Sequence, residues 1–299
     1  MVDTVVNHRL KDLGGFEVRR VLPIPRVTDR FVGPFCFFDH MGPHEFSAGG
    51  AGIPDVRPHP HIGLSTLTYL FEGELVHRDS IGSEQPIRPG DTNWMVAGRG
   101  ITHSERFERM RAKGGRVHAV QTWLALPEEL EETAPSFAHY DAAEMPTFSD
   151  NGIVGRVLAG RAFGASAPGR SYSPLFYVHL ELAAGARGAL DADYSERAIY
   201  VAVGEIEAGG SRIHAGQMVL FKRGEAATFA AAQPSVILAL GGETLGPRFM
   251  EWNFVSSRKE RIEQAKADWR AGRIKLPVND DREFVPLPGD VAAPSHPMS

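Results

Sequence analysis

Two pairs of potential metal ligands stand in the first half of the chain, and one residue separates the members of each pair. His59 and His61 form the first pair, and His103 and Glu105 form the second. Residues two apart in an extended chain point to the same side, so each pair can direct both side chains at one point. Three neutral imidazoles and one carboxylate suit a divalent transition metal and suit Ca or Mg poorly. We therefore predict one transition-metal site if the two segments are neighbours in the fold.

The residues around each pair favour that geometry. Pro58 and Pro60 restrict the backbone around the first histidine to extended conformations, which orients the first pair before a metal arrives. Gly98 and Gly100 allow a tight turn just before the second pair. A single His-x-His pair in a chain with 12 histidines is also compatible with a structural or solvated role. The metal prediction therefore depends on the combination of both pairs.

The elements that must position these side chains are short β-strands. The 32 glycines and 21 prolines are spread along the chain and divide it into short segments of β-like composition, which is typical of barrels and sandwiches. One long helix is predicted over Ser256 to Ala271, with a serine at its start. We predict strands over Glu17 to Leu22, Leu64 to Phe71, Leu75 to Arg78, Thr92 to Ala97, Val117 to Leu126, Phe176 to Leu182, Ala198 to Val203 and Met218 to Lys222.

An internal repeat indicates two barrels of one type. The segment from Tyr69 to Leu75 is echoed by the segment from Tyr200 to Ile206, and in both copies a glycine precedes the second strand. A turn containing glycine and a further strand then follow in each copy. The acidic stretch from Pro127 to Pro135 stands between the two strand-rich halves and is the predicted linker.

Composition excludes several classes of function. A net charge of −5 argues against a surface that neutralises many phosphates, so we expect no direct nucleic-acid partner. The apolar runs are far shorter than the roughly 20 residues that span a bilayer, and the first residues lack a leader pattern. We expect a cytoplasmic monomer with no membrane partner. The single cysteine, Cys36, lies in an apolar run, where a core side chain is the ordinary interpretation and a reactive thiol the alternative.

Longer runs around the two ligand pairs resemble the pirin family, whose members are bicupins. The resemblance covers essentially the entire chain and is densest from about residue 33 to 126. It is specific, because a short cupin signature alone would not reproduce the runs HRDS and AGRGITHSE. The matching motifs are PF at 34–35, FDH at 38–40, GP at 42–43, HPHIG at 59–63, TLTYLFEGE at 66–74, HRDS at 77–80, GD at 90–91 and AGRGITHSE at 97–105.

The resemblance implies an all-β fold of two cupin-type (jelly-roll) β-barrels packed together, with a short C-terminal helix. Residues 1–134 are expected to form the N-terminal metal-binding barrel, and residues 135–299 the C-terminal metal-free barrel plus the helix. His59, His61, His103 and Glu105 take the four metal-ligand positions of the family, which iron usually occupies. Fe(II) is therefore the expected ion, with Mn, Ni, Co, Cu or Zn as alternatives.

The chain departs from the wider cupin pattern at two places. Ser65 stands where many cupins and several pirins carry a glutamate, which we expect to alter the pocket wall more than the metal ligands. When the two repeats are aligned, Leu190 and Ala192 take the positions of the first histidine pair, so the second barrel is expected to hold no metal. His179 and His214 are interpreted as ordinary strand or turn residues.

Two functions are compatible with this resemblance. Four protein ligands on a six-coordinate metal leave two positions for water, substrate or dioxygen. The first function is a metal-dependent dioxygenase that acts on a flavonol-like aromatic, in the manner of quercetin 2,3-dioxygenase. Glu105 is then a ligand and also a candidate catalytic base if its surroundings raise its pKa, with pure ligation as the alternative.

The second function is an iron-binding, redox-sensitive regulatory protein that binds protein partners such as transcription factors or metabolic enzymes. Both functions need the same four ligands, so the sequence does not separate them. A deep pocket that reaches the metal would favour catalysis, and a shallow site beside an exposed basic or apolar patch would favour regulation.

Further residues are candidates for the surroundings of the metal. Polar side chains near the ligands in sequence can orient the imidazoles, and aromatic residues can form a pocket for a flat substrate, although aromatic residues on barrel strands are often plain core. The polar candidates are Asp39, His40, Asp55, Arg57, Arg99 and Ser104, and the aromatic candidates are Phe35, Phe37, Phe38 and Trp94.

Overall fold

The structure, a computed structural model, describes residues 1–12, 17–24, 31–49 and 55–290. The first half contains the strands β1 (Val2–Asn7), β2 (Arg9–Asp12), β3 (Glu17–Leu22), β4 (Phe35–Phe46), β5 (Val56–His61), β6 (Leu64–Glu72), β7 (Leu75–Asp79), β8 (Glu84–Ile87), β9 (Thr92–Val96), β10 (Ile101–Arg106), β11 (Gly115–Ala125) and β12 (Ser136–Tyr140). The helix α1 (Glu108–Lys113) precedes β11, and a 3-10 turn (Glu128–Leu130) follows it.

The second half continues with strands and ends in one longer helix. Its strands are β13 (Thr147–Asp150), β14 (Ile153–Ala162), β15 (Ala165–Ser166), β16 (Leu175–Leu182), β17 (Arg187–Leu190), β18 (Glu196–Val203), β19 (Glu205–Ala208), β20 (Ser211–His214), β21 (Gln217–Phe221), β22 (Ala227–Ala230), β23 (Ser235–Gly242), β24 (Phe249–Glu251) and β25 (Phe254–Ser256). The helix α2 (Lys259–Arg270) follows β25.

Each half folds into a barrel made of one large and one small sheet. The first barrel combines a sheet of order β12-β9-β6-β11-β4-β3-β2 with a sheet of order β5-β10-β7-β8. The second combines the order β1-β21-β18-β23-β16-β14-β13, with β15 paired to β14, and the order β17-β22-β19-β20. β6 lies between β9 and β11, and its counterpart β18 lies between β21 and β23. The sequence repeat therefore reflects two barrels of one type, and the predicted all-β architecture with a C-terminal helix is confirmed.

The two large sheets pack face to face and form a core between the barrels. On β11, Val120 and Leu124 lie in this shared core, whereas Trp123 points into the first barrel. On β16, Tyr177 lies in the shared core and Val178 in the core of the second barrel. Because alternate residues of a strand face opposite sides, burial of both sides requires nearly continuous apolar sequence in these strands.

Two strands pair across the predicted division between residues 134 and 135. Val5 on β1 lies opposite Val219 in the large sheet of the second barrel. Phe137 on β12 lies opposite Met95 in the large sheet of the first barrel. Glu131, within the predicted linker, is buried and forms an ion pair with Arg248. The division at residue 134 stays a prediction about domain boundaries, and the segment around it is packed against the second half.

The predicted strands are all present, with end points that differ by a few residues, but some strands were missed. The helix begins at Lys259 rather than at Ser256, because Ser256 still belongs to β25. β5 contains two prolines, which strands tolerate at a sheet edge, and β5 is the edge of its sheet. Within the described ranges, neither helix has the length and hydropathy that a membrane-spanning helix needs.

Candidate metal centre

Three histidines from two neighbouring strands converge inside the first barrel. His59 and His61 lie on β5, and His103 lies directly opposite His59 on the antiparallel strand β10. His61 Nε2 is 3.1 Å from His103 Nε2, and one ring nitrogen from each of the three histidines lies within 4.8 Å of the others. All three side chains are buried. The structure brings these three predicted residues together, because the two strands are neighbours and their inward positions coincide.

Backbone carbonyl groups fix the orientation of the two histidines on β5. His59 Nδ1 is 2.9 Å from the carbonyl oxygen of Arg57, and His61 Nδ1 is 3.1 Å from the carbonyl oxygen of Asn253. A carbonyl oxygen only accepts, so each Nδ1 carries the proton and donates it. The lone pair of each imidazole is then on Nε2, which is the arrangement that metal-binding histidines use.

A fourth buried histidine, His77, orients the ring of His103. His103 Nδ1 is 3.4 Å from His77 Nδ1, and His77 Nε2 is 3.0 Å from a carboxylate oxygen of Asp79. Because the carboxylate accepts from His77 Nε2, the Nδ1 atom of His77 is free to accept from His103. The ring of His77 also stacks on Phe137, with ring centroids 4.4 Å apart. The chain Asp79, His77 and His103 therefore leaves the Nε2 lone pair of His103 facing the other two histidines.

The electrostatics of the three histidines suit a metal ion. Burial lowers the pKa of His59 to about 4, and burial also lowers the pKa values of His61 and His103 well below the ordinary value. The neutral imidazole is the form that binds a metal, so no proton has to be displaced at neutral pH. Three inward nitrogen donors with fixed tautomers therefore fit a divalent transition metal.

Glu105 is placed differently from the three histidines. The pairing of β10 with β5 shifts between His103 and Glu105, and the group of mutually close ligand atoms comprises the three histidines without Glu105. A carboxylate oxygen of Glu105 accepts a short hydrogen bond from Nε2 of Gln121. Burial raises the pKa of Glu105 to about 7, and the hydrogen bond from Gln121 opposes part of that increase. Ligation by Glu105 stays a prediction.

A cavity of about 490 Å³ reaches the metal centre, and both His59 and Glu105 line it. Its wall includes Phe37 and Trp123, whose rings stack with centroids 3.9 Å apart. The rings of Trp123 and His61 are T-shaped to each other, with centroids 4.9 Å apart. Ligand pockets commonly have volumes of about 300 to 1,000 Å³ and mainly apolar walls. The cavity is therefore large enough for a flat aromatic molecule beside His59.

The cavity also carries an internal ion pair. Two nitrogen atoms of Arg20 donate to the two carboxylate oxygens of Asp39, each at 2.7 Å. The guanidinium of Arg20 lies 4.3 Å from the centre of the Phe37 ring. Both charged groups line the cavity, and since they neutralise each other, this pair adds no net charge to the wall.

The structure places some of the candidate surrounding residues at the cavity and others away from it. Among the aromatic candidates, Phe37 lines the cavity, whereas the core between the barrels holds Phe35, Phe38 and Trp94. Among the polar candidates, Arg57 binds a ligating histidine, through its backbone carbonyl. Asp39 and Asp55 also line the cavity, and they pair with Arg20 and Arg106. His40 contacts His118 and Tyr200, Ser104 binds Asp280, and Arg99 is exposed.

Several residues of the site were missed by the sequence argument. His77 and Asp79 lie in the HRDS run, which the family resemblance had already singled out. Gln121 and Trp123 are two residues apart on a predicted strand, so their shared inward face was available from the strand period. Asn253 had no comparable signal, because it follows the second barrel and reaches His61 only through the tertiary fold.

Comparisons with known proteins agree with the geometry of the site. The family model for pirin matches residues 15–124, and the model for the pirin C-terminal cupin domain matches residues 177–275. A pirin-like protein of Caulobacter vibrioides is 57% identical over 289 residues, which cover 96% of this chain and 100% of that protein. Pirin of Mus musculus is 30% identical over 266 residues, covering 86% of this chain and 87% of that protein.

A solved structure supports the same assignment. The crystal structure of quercetin 2,3-dioxygenase from Acinetobacter baumannii matches with a TM-score of 0.81 and 31% sequence identity, covering 97% of this chain and 93% of that chain. The pirin model and the pirin C-terminal cupin model match successive parts of this one chain. The chain belongs to the pirin family.

Proposed function

We propose that this protein is a metal-dependent dioxygenase that acts on a flavonol-like aromatic, with Fe(II) as the ion. One observation carries the proposal: three imidazoles converge on one point, and one of them, His59, lines a cavity of about 490 Å³ whose wall also holds the buried carboxylate of Glu105. The similarity to a structure named as quercetin 2,3-dioxygenase supports the flavonol as substrate class. Dioxygen would be the second substrate.

His59, His61 and His103 would hold the ion. A bound transition-metal ion would supply Lewis acidity toward a flavonol oxygen and electron exchange with dioxygen. The chain itself supplies orientation and exclusion of water. Phe37 and Trp123 supply an aromatic part of the cavity wall next to which an aromatic ligand can lie, and the Trp123 ring contacts His61.

Glu105 is our candidate for the base that accepts the flavonol hydroxyl proton. A general base works best when its pKa is near the working pH, and burial raises the pKa of Glu105 to about 7. Gln121 donates to one carboxylate oxygen, which keeps the carboxylate against the cavity wall. The alternative role, ligation of the metal, would require a rotation of the Glu105 side chain toward the three histidines.

The depth of the cavity favours catalysis over the regulatory function. A regulatory protein that senses metal oxidation through its surface does not need a cavity of substrate size beside the metal. Here the cavity reaches from the stacked aromatic pair to His59. Binding of protein partners remains the second candidate function, since it would use the same three histidines.

The test is anaerobic loading with Fe(II), Mn(II), Ni(II) or Cu(II), followed by quercetin and then air. We expect loss of flavonol absorbance with at least one metal, and no loss in His59→Ala. His214→Ala is the matched control, because His214 is exposed in the second barrel and its ring pairs with Glu205. If no metal form consumes quercetin or a panel of related catechols, the dioxygenase proposal fails and the regulatory function leads.

Glu105→Gln separates the two roles of the carboxylate. If Glu105 is the base, the variant keeps its metal affinity and loses roughly 10²-fold or more in turnover, the ordinary contribution of a general base. If Glu105 is a ligand, the variant binds metal more weakly. Metal affinity is measured by competition with a chromogenic chelator, and turnover by flavonol absorbance.

A further inference from the structure

The segment after α2 contacts both strands that carry the histidines. We name residues 277–287 the C-terminal strap. On the side of β5, the backbone N–H of Val285 donates to the carbonyl oxygen of Pro58 at 2.8 Å, one residue before His59. Val285 lines the same cavity as His59. The strap therefore lies beside the candidate metal centre although it is more than 170 residues away in sequence.

On the side of β10, the strap is held by the two residues that flank Glu105. Ser104 Oγ donates to Asp280 at 2.6 Å, and Nε and Nη2 of Arg106 each donate to a carboxylate oxygen of Asp280 at 2.6 Å. Arg106 also donates to Glu283 at 3.0 Å. Because alternate residues of a strand face opposite sides, Ser104 and Arg106 hold the strap outside the barrel while Glu105 faces the cavity.

These anchors are strong ones. A guanidinium that binds both oxygens of a carboxylate makes two charge-assisted hydrogen bonds of fixed geometry. Arg106 is only 8% exposed, so water screens this pair weakly. From the other side, Nε1 of Trp269 on α2 donates to the carbonyl oxygen of Val285 at 3.1 Å, and Leu287 is buried in the cluster around α2. The backbone of the strap is thus fixed on both sides of Val285.

We propose that the C-terminal strap forms one wall of the substrate pocket and that Val285 is a specificity-determining residue. The inference rests on the proposed function only in that the pocket takes a flat aromatic ligand. Val285 lines the cavity together with Trp123 and Trp252, on a backbone that cannot yield without breaking its hydrogen bonds to Pro58 and Trp269. The size of this side chain therefore sets the space available to a multi-ring ligand, while the affinity of a single-ring ligand does not depend on it.

The test measures binding without turnover. Zn(II)-loaded protein has no redox chemistry, so quercetin and catechol can be titrated as probes while the fluorescence of Trp123 and Trp252, which line the cavity, reports occupancy. We expect Val285→Phe to raise the dissociation constant of quercetin more than tenfold and that of catechol less than twofold. Val285→Ala should raise the quercetin constant by about threefold to tenfold through lost contact.

The matched control is Val278→Ala, which removes the same atoms from the same strap at a position that is 75% exposed. It should change neither constant. The proposal is overturned if Val285→Phe changes both probes equally or neither, or if quercetin does not bind the wild-type protein. Should Val285→Phe fail to fold, Val285→Leu must raise the dissociation constant of quercetin more than that of catechol, by a smaller factor.

A second variant tests the anchor. In Asp280→Asn the charge that binds Arg106 is lost, so the strap is freer to move away from the barrel. We expect the quercetin penalty of Val285→Phe to fall below threefold in this background, and an unchanged penalty would overturn the anchoring role of Asp280. Selective binding by Val285 variants without any quercetin turnover would refute the dioxygenase proposal and leave the strap proposal standing.

Discussion

Glu105→Gln should stabilise the metal-free protein, and the gain should grow with pH. Burial raises the pKa of Glu105 to about 7 in the folded protein, against an ordinary value of 4.5. The folded protein therefore binds this proton more tightly than the unfolded chain does. The contribution of Glu105 to the stability of the wild-type protein is fully present below the unfolded pKa and is lost as pH rises from about 4.5 through about 7. Glutamine carries no charge at any of these pH values, so the variant escapes that loss.

The size of the effect follows from the shift. A pKa difference between 4.5 and about 7 corresponds to about 3 kcal/mol, at about 1.4 kcal/mol per pKa unit. The variant should exceed the wild type by about 3 kcal/mol at pH 8 and by about 1 kcal/mol at pH 5, where the unfolded carboxyl is already mostly ionised. An amide oxygen at position 105 can still accept the hydrogen bond from Gln121. The glutamine and the glutamate therefore differ mainly in charge and little in shape.

The assay is urea unfolding of chelator-treated protein at pH 5, 6, 7 and 8, followed by tryptophan fluorescence. The titration of the buried histidines changes the stability of both proteins alike and cancels in the difference. Glu132→Gln is the matched control, because the Glu132 side chain is 46% exposed and its difference from the wild type should be small and flat with pH. The free energy of unfolding is compared at each pH.

A difference between Glu105→Gln and wild type that does not change between pH 5 and pH 8 would refute the burial argument. The same pair of proteins with metal added then addresses the role of the carboxylate. If Glu105 binds the ion, its ionised form is stabilised by the metal, and Glu105→Gln becomes the less stable of the two proteins. If Glu105 is only part of the cavity wall, the stability gain of the variant persists.

Three further predictions concern the support of the site. His77→Phe keeps a ring to stack on Phe137 but removes the acceptor for His103, so metal affinity in chelator competition should fall about 10- to 100-fold, and an unchanged affinity would exclude this positioning role. Glu131→Gln leaves Arg248 buried without its charge partner and should lower the free energy of unfolding by about 3 to 5 kcal/mol. The control Glu132→Gln changes an exposed side chain and should lower it by less than about 1 kcal/mol. Equal losses in the two variants would contradict the burial of the pair. Gly63→Ala places a Cβ against the carbonyl oxygen of Val255 at a φ of +68°, so it should cost clearly more stability in urea unfolding than Gly82→Ala, which has a φ of +97° and open space around it.

The ligand histidines could be predicted from the sequence because their geometry is local. The side chains of residues two apart on a strand point to the same side, and the flanking prolines hold β5 extended. The two-residue alternation of strand side chains gives the wrong faces for the aromatic residues of β4. Phe35 and Phe37 should share a face, but the pairing of β4 with β11 shifts at this point, and they end in different cores. A shift of one residue exchanges the two faces of a strand, and a bulge has no reliable sequence signature.

Glu105 illustrates the same limit within the site. Its spacing from His103 predicts a shared direction, and the structure does place both side chains inside the barrel. The pairing with β5 shifts between the two residues, and Gln121 on the facing sheet provides a partner for the carboxylate. The period of the strand therefore predicted the cavity that Glu105 faces, but its hydrogen-bond partner depends on how the two sheets of the barrel pack.

The metal centre of the first barrel is completed by chain that follows the second barrel. The carbonyl group of Asn253 fixes the proton of His61, and Trp252 and Val285 close the cavity wall. These residues reach the site because the large sheets of the two barrels share one core, which positions β24, β25 and α2 beside β5. The second barrel thus contributes to the site without supplying any of the three histidines, by fixing where the chain returns. A pocket of this kind depends on long-range packing, so its walls are set by the fold of the entire chain rather than by the ligand strands alone.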